Sequence, residues 1–253
     1  MHKFVDICSI RFPLIDYNKT IGLFEKWINQ GKSRHVCITN VHTLVTALKD
    51  KEFKNIVDCA DLITIDGQPL RWYAKLIRGV HIKDRITGPE LMLKSIEFGN
   101  NKRWCHFLLG GTEEVLWKLR KNLIEKFEGI NIVGTYSPPF RTLTKEEDAA
   151  LVERINKAHP DFLWVGLGAP KQEKWISNHL SRIHVPIQIG VGAAFDFHSG
   201  NIKRAPEFLQ RIGLEWLYRI YRDLKLYKKY LQTNPIFMLI FIRDFIKIKV
   251  FQK

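Results

Sequence analysis

The sequence predicts an α/β fold: a Rossmann-like, doubly wound, mostly parallel sheet with a C-terminal helical appendage. Three observations carry this. Short apolar runs alternate with helix-forming stretches. Most runs are bounded by Gly, Asn or Asp, as buried parallel strands are. Strand signals stop after about Arg204, where a basic, aromatic-rich helical stretch begins.

Strands are predicted at His35–Thr39, Leu62–Ile65, Trp104–Leu109, Ile130–Gly134, Phe162–Gly166 and Ile187–Val191. Helices are predicted between them at His42–Lys49, Pro69–Ile77, Pro89–Glu97, Glu113–Phe127, Lys145–Ala158 and Lys171–Leu180. Thr112 and Thr144 read as N-caps, and Thr144-Lys145-Glu146-Glu147 as a capping box. Glu207–Leu231 is helical, and Thr233-Asn234-Pro235 breaks it. Ile236–Phe251 then alternates apolar clusters with Arg243, Lys247 and Lys249. The expected division is a 1–204 core and a 205–253 appendage.

The chain has 253 residues, enough for one large core plus an appendage. The net charge is +14, and an anionic partner is expected: nucleic acid, an acidic membrane or a phosphorylated substrate. From Arg211 onward there are ten Lys/Arg against three Asp/Glu, which is half of the whole excess. Cys8, Cys37, Cys59 and Cys105 are scattered, which argues against disulfides and zinc and for a reducing cytoplasm. No apolar h-region and no run of about 18 apolar residues is visible, so neither a signal peptide nor a spanning helix is expected.

Ligands of open α/β sheets bind at the carboxyl ends of the strands. The informative loops there are Thr39-Asn40, Asp66-Gly67-Gln68, Gly110-Gly111-Thr112, Gly134-Thr135-Tyr136, Gly166–Gln172 and Gly190–Asp196. Asp66 has two readings, an N-cap for the helix that follows or a general base in a cleft. Gly166-Leu167-Gly168 starts like a dinucleotide fingerprint, but Lys171 stands where the third glycine belongs. No Walker A pattern, HExxH or Asp-x-Asp pair occurs, so neither a metal nor a cofactor is expected. Arg85, Lys171, Lys203 and Arg204 are placed to neutralise an anion instead.

Taken in order, these loops resemble the WecG/TagA/CpsF family of bacterial glycosyltransferases. The resemblance rests on Asn40 with Leu44 and Ala47, on Asp66-Gly67, and on Arg85-Ile86-Thr87-Gly88-Pro89-Glu90-Leu91. It continues through Phe107–Gly111, Val165–Trp175, Gly190–Asp196, Gly200–Pro206 and Gly213–Arg219. The resemblance implies inverting, metal-independent transfer from a UDP-sugar to an undecaprenyl diphosphate-linked acceptor on the cytoplasmic face of the bacterial cell membrane. The implied sugar is N-acetylmannosamine, its uronic acid or glucose. Two departures are Ile38 where the family often has Thr, and Gly134–Phe140 in place of a Gly-Tyr-Phe-like stretch.

On this resemblance Asp66 is the expected base and Arg85 its catalytic partner. Expected substrate contacts are Thr39, Asn40, Gly67, Gly110, Gly111, Gly166, Gly168, Pro170, Lys171, Gln172, Glu173, Gly192, Phe195, Asp196 and Arg204. Gln172 is read either as a donor contact or as a cap of its own helix, and Asp196 either as a hydroxyl acceptor or as a turn stabiliser. Arg211, Arg219 and Arg222 share a helical face that either reaches a diphosphate or is a solvated basic face. The tail reads as an interfacial anchor on an anionic membrane, with burial against the core or a second subunit as its alternative. Homo-oligomerisation stays open. Competing functions are a nucleic-acid-binding protein and an NAD-dependent oxidoreductase. Salt sensitivity of binding and UDP against NAD in thermal shift separate them.

Overall fold

The computed structural model describes residues 3–224 and 226–251. Its centre is a six-stranded, wholly parallel sheet. The strands are β3 (Arg34–Thr39), β4 (Leu62–Ile65), β5 (Cys105–Gly110), β6 (Asn131–Tyr136), β7 (Phe162–Gly166) and β8 (Ile187–Gly190). Their spatial order is β4-β3-β8-β7-β5-β6. All six coincide with predicted strands.

Side chains alternate between the two faces of the sheet, and both faces are covered. Val36, Ile38, Leu108, Phe162 and Trp164 join one buried cluster. That face is closed by α1 (Tyr17–Gln30), α5 (Gly88–Asn100), α6 (Glu113–Lys126) and α9 (Ala194–His198). Their neighbours Cys37, Ile63 and Ile65 point the other way, as do Phe107, Leu109, Leu163 and Val165. The second face is closed by α2 (Val41–Lys49), α3 (Lys51–Asp58), α4 (Gln68–Arg78), α7 (Lys145–Lys157) and α8 (Lys171–His179). This is the doubly wound arrangement that near-continuous apolar strands require. Thr112 caps α6, and Thr144 with Glu147 forms the expected capping box on α7.

An antiparallel hairpin, β1 (Phe4–Ile7) with β2 (Ile10–Pro13), packs beside α4 and β4 and was not predicted. Its turn residues Cys8 and Ser9 both sit in the left-handed region, at φ 49° and 67°. That geometry normally announces itself with Asn or Gly, and here it does not. Helix α1 is a second element outside the expected set, with Asp16 capping its start and Gly31 its end.

The tail forms α10 (Glu207–Arg211), α11 (Glu215–Arg222), α12 (Leu226–Leu231) and α13 (Asn234–Phe251). Asn234 and Pro235 open the last helix, in keeping with proline's tolerance of the first turn. One side of α13 lies on α2 and α4: Phe237 is buried, Tyr73 packs against Phe237 and Phe241, and the Tyr73 hydroxyl donates to Asp244 Oδ2 at 2.7 Å. The other side leaves Leu239, Ile242, Ile246 and Val250 exposed.

Candidate active site

A cavity of about 600 Å³ opens at the carboxyl ends of β4, β3, β8 and β7. The first residues of α11, the cavity face of α12 and the start of α13 cover it. Strands β3 and β4 are built first, and β7 and β8 return beside them after the chain has crossed to β5 and β6. The cavity therefore sits where strand order reverses, the expected place for a ligand crevice.

Asp66 follows β4 directly, and its N–H donates to Thr39 O at 2.8 Å. Gly67, not Asp66, is the N-cap of α4, and no side chain caps that helix. The carboxylate is thus left half-buried on the cavity wall. Burial pushes its pKa up to about 6, opposed by Arg85 and Arg204 and reinforced by Glu215 and Glu90.

The segment carrying Arg85 is tied to the end of β4, Ile86 N–H donating to Ile65 O at 3.0 Å. Arg71 holds the preceding turn through Ile82 O and Lys83 O, at 2.8 and 3.1 Å from its Nη2. The Tyr17 hydroxyl lies 2.7 Å from both Arg85 O and Glu90 Oε2 and accepts the Thr87 N–H at 3.0 Å. Arg85 then reaches into the tail. It donates to Gln210 Oε1 at 2.9 Å and to Gln210 O at 3.2 Å, and it pairs with Glu215 at 3.4 Å. Arg204 pairs with Glu90 at 3.1 Å and with Glu215 at 3.5 Å.

Gln172 joins the two glycine turns. Its Oε1 accepts Gly168 N–H at 3.1 Å and Gly192 N–H at 2.9 Å, while its Nε2 donates to the buried Glu173 at 2.8 Å. A side chain at Gly190 would come within 2.5 Å of the Gln172 amide, so glycine is required there. Burial raises the Glu173 pKa, partly offset by the Gln172 hydrogen bond. Gln172 lines the cavity, and its carbonyl joins two loops rather than only capping its own helix.

The tail supplies Arg219, Lys229 and Tyr230 to the same cavity. The Arg219 guanidinium carbon lies 5.6 Å from the Phe197 ring centroid and 6.0 Å from that of Tyr230. Lys229 is pushed down to about 8, chiefly by burial and further by Arg219. His42, also on the wall, is pushed down to about 4 by burial and by Lys229, so it is neutral at pH 7.

Of the residues expected at the site, Asn40, Asp66, Gly67, Arg85, Gly166, Gly168, Gln172, Gly192, Asp196, Arg204 and Arg219 line the cavity. Asn40 also caps α2 through Thr43 N–H at 3.1 Å. Asp196 accepts from Asn201 at 3.3 Å and so stabilises its own turn as well as facing the cavity. Thr39, Glu173 and Phe195 are buried behind the wall. Gly110 and Gly111 lie at the neighbouring β5 end, outside the lining, together with the β6 turn. Pro170 and Lys171 also lie outside it, Lys171 exposed at the start of α8. Arg211 and Arg222 are exposed, Arg211 pairing with Glu207 at 2.6 Å. Four of the six expected loops therefore build the cavity rather than all six, because β5 and β6 stand at the far side of the sheet. Ile38, the departure from the family pattern on β3, does line it.

Residues that the sequence reading missed are His42, Glu215, Lys229, Tyr230 and the aromatic wall of Trp72 and Trp216.

Comparison with known proteins identifies the family. The family model described as "Glycosyl transferase WecG/TagA/CpsF family" matches residues 5–250. The chain belongs to that family. It is also similar to an N-acetylglucosaminyldiphosphoundecaprenol N-acetyl-beta-D-mannosaminyltransferase of Bacillus subtilis (strain 168), with 30% identity across 82% of this chain and 80% of the relative. A protein of the same name from Staphylococcus aureus (strain MW2) is 28% identical across 92% of this chain and 90% of its own. The resemblance read from the loops and the match to the family model agree, and the chain is a glycosyltransferase by family.

Proposed function

We propose that this protein transfers N-acetylmannosamine, with inversion and without a bound metal, from its UDP derivative to a sugar carried on a polyprenyl diphosphate. The observation that carries the reading is one half-buried carboxylate, Asp66, sharing a cavity with Arg85, Arg204, Arg219 and Lys229. The names of the Bacillus and Staphylococcus relatives support the choice of sugar and acceptor over the uronic acid or glucose.

Inversion is a single displacement. The acceptor hydroxyl attacks the anomeric carbon, its proton passes to Asp66, and the bond to the UDP oxygen breaks. With a pKa near 6, Asp66 is about nine-tenths ionised at pH 7 and still basic enough to take a proton as the new bond forms. Positioned proton transfer is worth about 10²–10⁴-fold. Charge develops on the departing diphosphate, and the cavity cations stabilise it.

The acceptor's lipid tail brings the enzyme to a bilayer. Among the described residues no helix is long and apolar enough to cross a membrane. The exposed row Leu239, Ile242, Ile246 and Val250 on α13 suits partial insertion, with Arg243 and Lys247 for anionic headgroups. The proposal places the protein peripherally on the inner face of the cell membrane, with 1–204 as catalytic core and 205–253 as membrane-associating tail. The test is to incubate the purified protein with UDP-N-acetylmannosamine, other UDP-sugars and synthetic prenyl-diphosphate sugars, and to identify product and anomer. Transfer of N-acetylmannosamine to an N-acetylglucosaminyl diphosphate lipid is the expected result. Transfer of another sugar would change the donor assignment, and no transfer from any UDP-sugar would overturn the reading.

A further inference from the structure

Glu215 and Gln210 make the tail's polar contacts with the core arginines at the cavity, and of the two only Glu215 is charged. Its two carboxylate oxygens face two different core arginines, Arg85 at 3.4 Å and Arg204 at 3.5 Å. Both arginines are held from behind, Arg85 by its tethered loop and Arg204 by Glu90. By contrast α10 and α11 contain no fully buried residue, and neither has a side-chain cap. Apolar burial therefore contributes little to holding this stretch, and the ionic contact carries more of the task. Four residues further along α11, one helical turn, Arg219 faces the same cavity.

We propose that Glu215 is a positioning residue for the transfer: it anchors α11 on Arg85 and Arg204, places Arg219 over the crevice, and tunes the base through its negative charge. The inference rests on the functional reading above only for the part that concerns turnover.

Groups facing this cluster are Arg85 after α4, Arg204 before α10, Glu90 on α5, Arg219 on α11, Tyr230 on α12 and Asp66 itself. Glu215 sits among the groups that raise the affinity of Asp66 for a proton, and the two arginines among those that lower it. Removing the Glu215 charge leaves both arginines less compensated. The proton affinity of Asp66 then falls on two counts.

The test compares Glu215→Gln and Glu215→Asp with the unsubstituted protein. Limited proteolysis of the 205–214 segment needs no substrate and reads the anchor alone. Glu215→Gln is expected to be cut there about tenfold faster. In the transfer assay kcat should fall about tenfold with the donor KM unchanged or lower, because the freed arginines still meet the diphosphate. The acidic limb of the kcat profile should move down by about 0.5 pH unit or more. Glu215→Asp keeps the charge, so its limb should stay near that of the unsubstituted protein. A purely structural anchor would move the proteolysis but not the limb, and that result would overturn the tuning role. Cleavage at the unsubstituted rate, with kcat within twofold, would overturn the proposal. Faster cleavage in a protein that transfers no sugar would uphold the anchor while removing the functional reading.

Discussion

The cavity has two walls of different construction. The sheet wall is made by strand ends whose backbone is locked in parallel pairing, with Gln172 stitching two turns together and Glu173 fully buried behind it. The tail wall is made by helices that bury Tyr230 on α12 and Phe237 on α13 but hold α10 and α11 by polar contacts. The contrast separates two tasks. The sheet wall holds the base and the turns at fixed geometry, where displacement by an ångström is costly. The tail wall brings cations that can be moved, screened or titrated.

Asp66 apart, the largest effect is expected where the sheet wall is stitched. Gln172→Ala should lower kcat/KM about 10²-fold, with the loss seen in steady-state transfer and only a small change in melting temperature. Gln172→Glu should be no better, because its carboxylate would face Glu173. If either variant kept full activity, the rigid-wall half of the contrast would fail.

A smaller and pH-dependent effect is expected on the tail wall. Lys229→Met should raise the donor KM about tenfold at pH 7, where Lys229 is charged. The difference should shrink above pH 8, as the lysine of the unsubstituted protein loses its proton near its pKa of about 8. A gap that stayed constant to pH 9.5 would show that the charge is not what matters.

Smaller still is the effect of the exposed α13 row on catalysis. Leu239→Asp with Ile242→Asp should reduce flotation with anionic liposomes several-fold and leave transfer to a water-soluble short-chain acceptor within about twofold. Undiminished flotation would remove α13 as the membrane face. Deleting the whole tail is a poorer test, since it would strip Phe237 and Phe241 from Tyr73.

One effect has the opposite sign. The pKa of Asp66 is raised by folding, so its contribution to stability is full below about pH 4 and is lost as pH rises through about 6. Asp66→Asn removes that penalty and should stabilise the ligand-free protein at pH 7 by about 1–3 kcal/mol, read by denaturant unfolding.

The sheet wall was legible in the sequence because apolar runs ending in Gly, Asn or Asp carry their own punctuation. All six parallel strands, and Asn40, Asp66, Gly168, Gln172 and Gly192 at their ends, could be found that way. The β1–β2 hairpin was not legible, because Cys8 and Ser9 adopt a turn that their residue types do not announce. The tail-wall partners were hidden for a different reason. Glu215, Lys229 and Tyr230 reach the cavity only through the docking of α11 and α12, a tertiary event without local signature. A basic aromatic helix reads the same whether it faces water, lipid or a diphosphate. Glu173 was misplaced as a substrate contact because its neighbour Gln172 does face the cavity. One residue further along α8, Glu173 is buried beneath the turns.

The most direct test of the account is Asp66→Asn, assayed for sugar transfer and for UDP binding by calorimetry on the same preparation. The account predicts turnover lower by about 10³-fold with UDP affinity within threefold of the unsubstituted protein. Turnover within tenfold, with an unchanged acidic limb in the pH profile, would show that another group takes the proton.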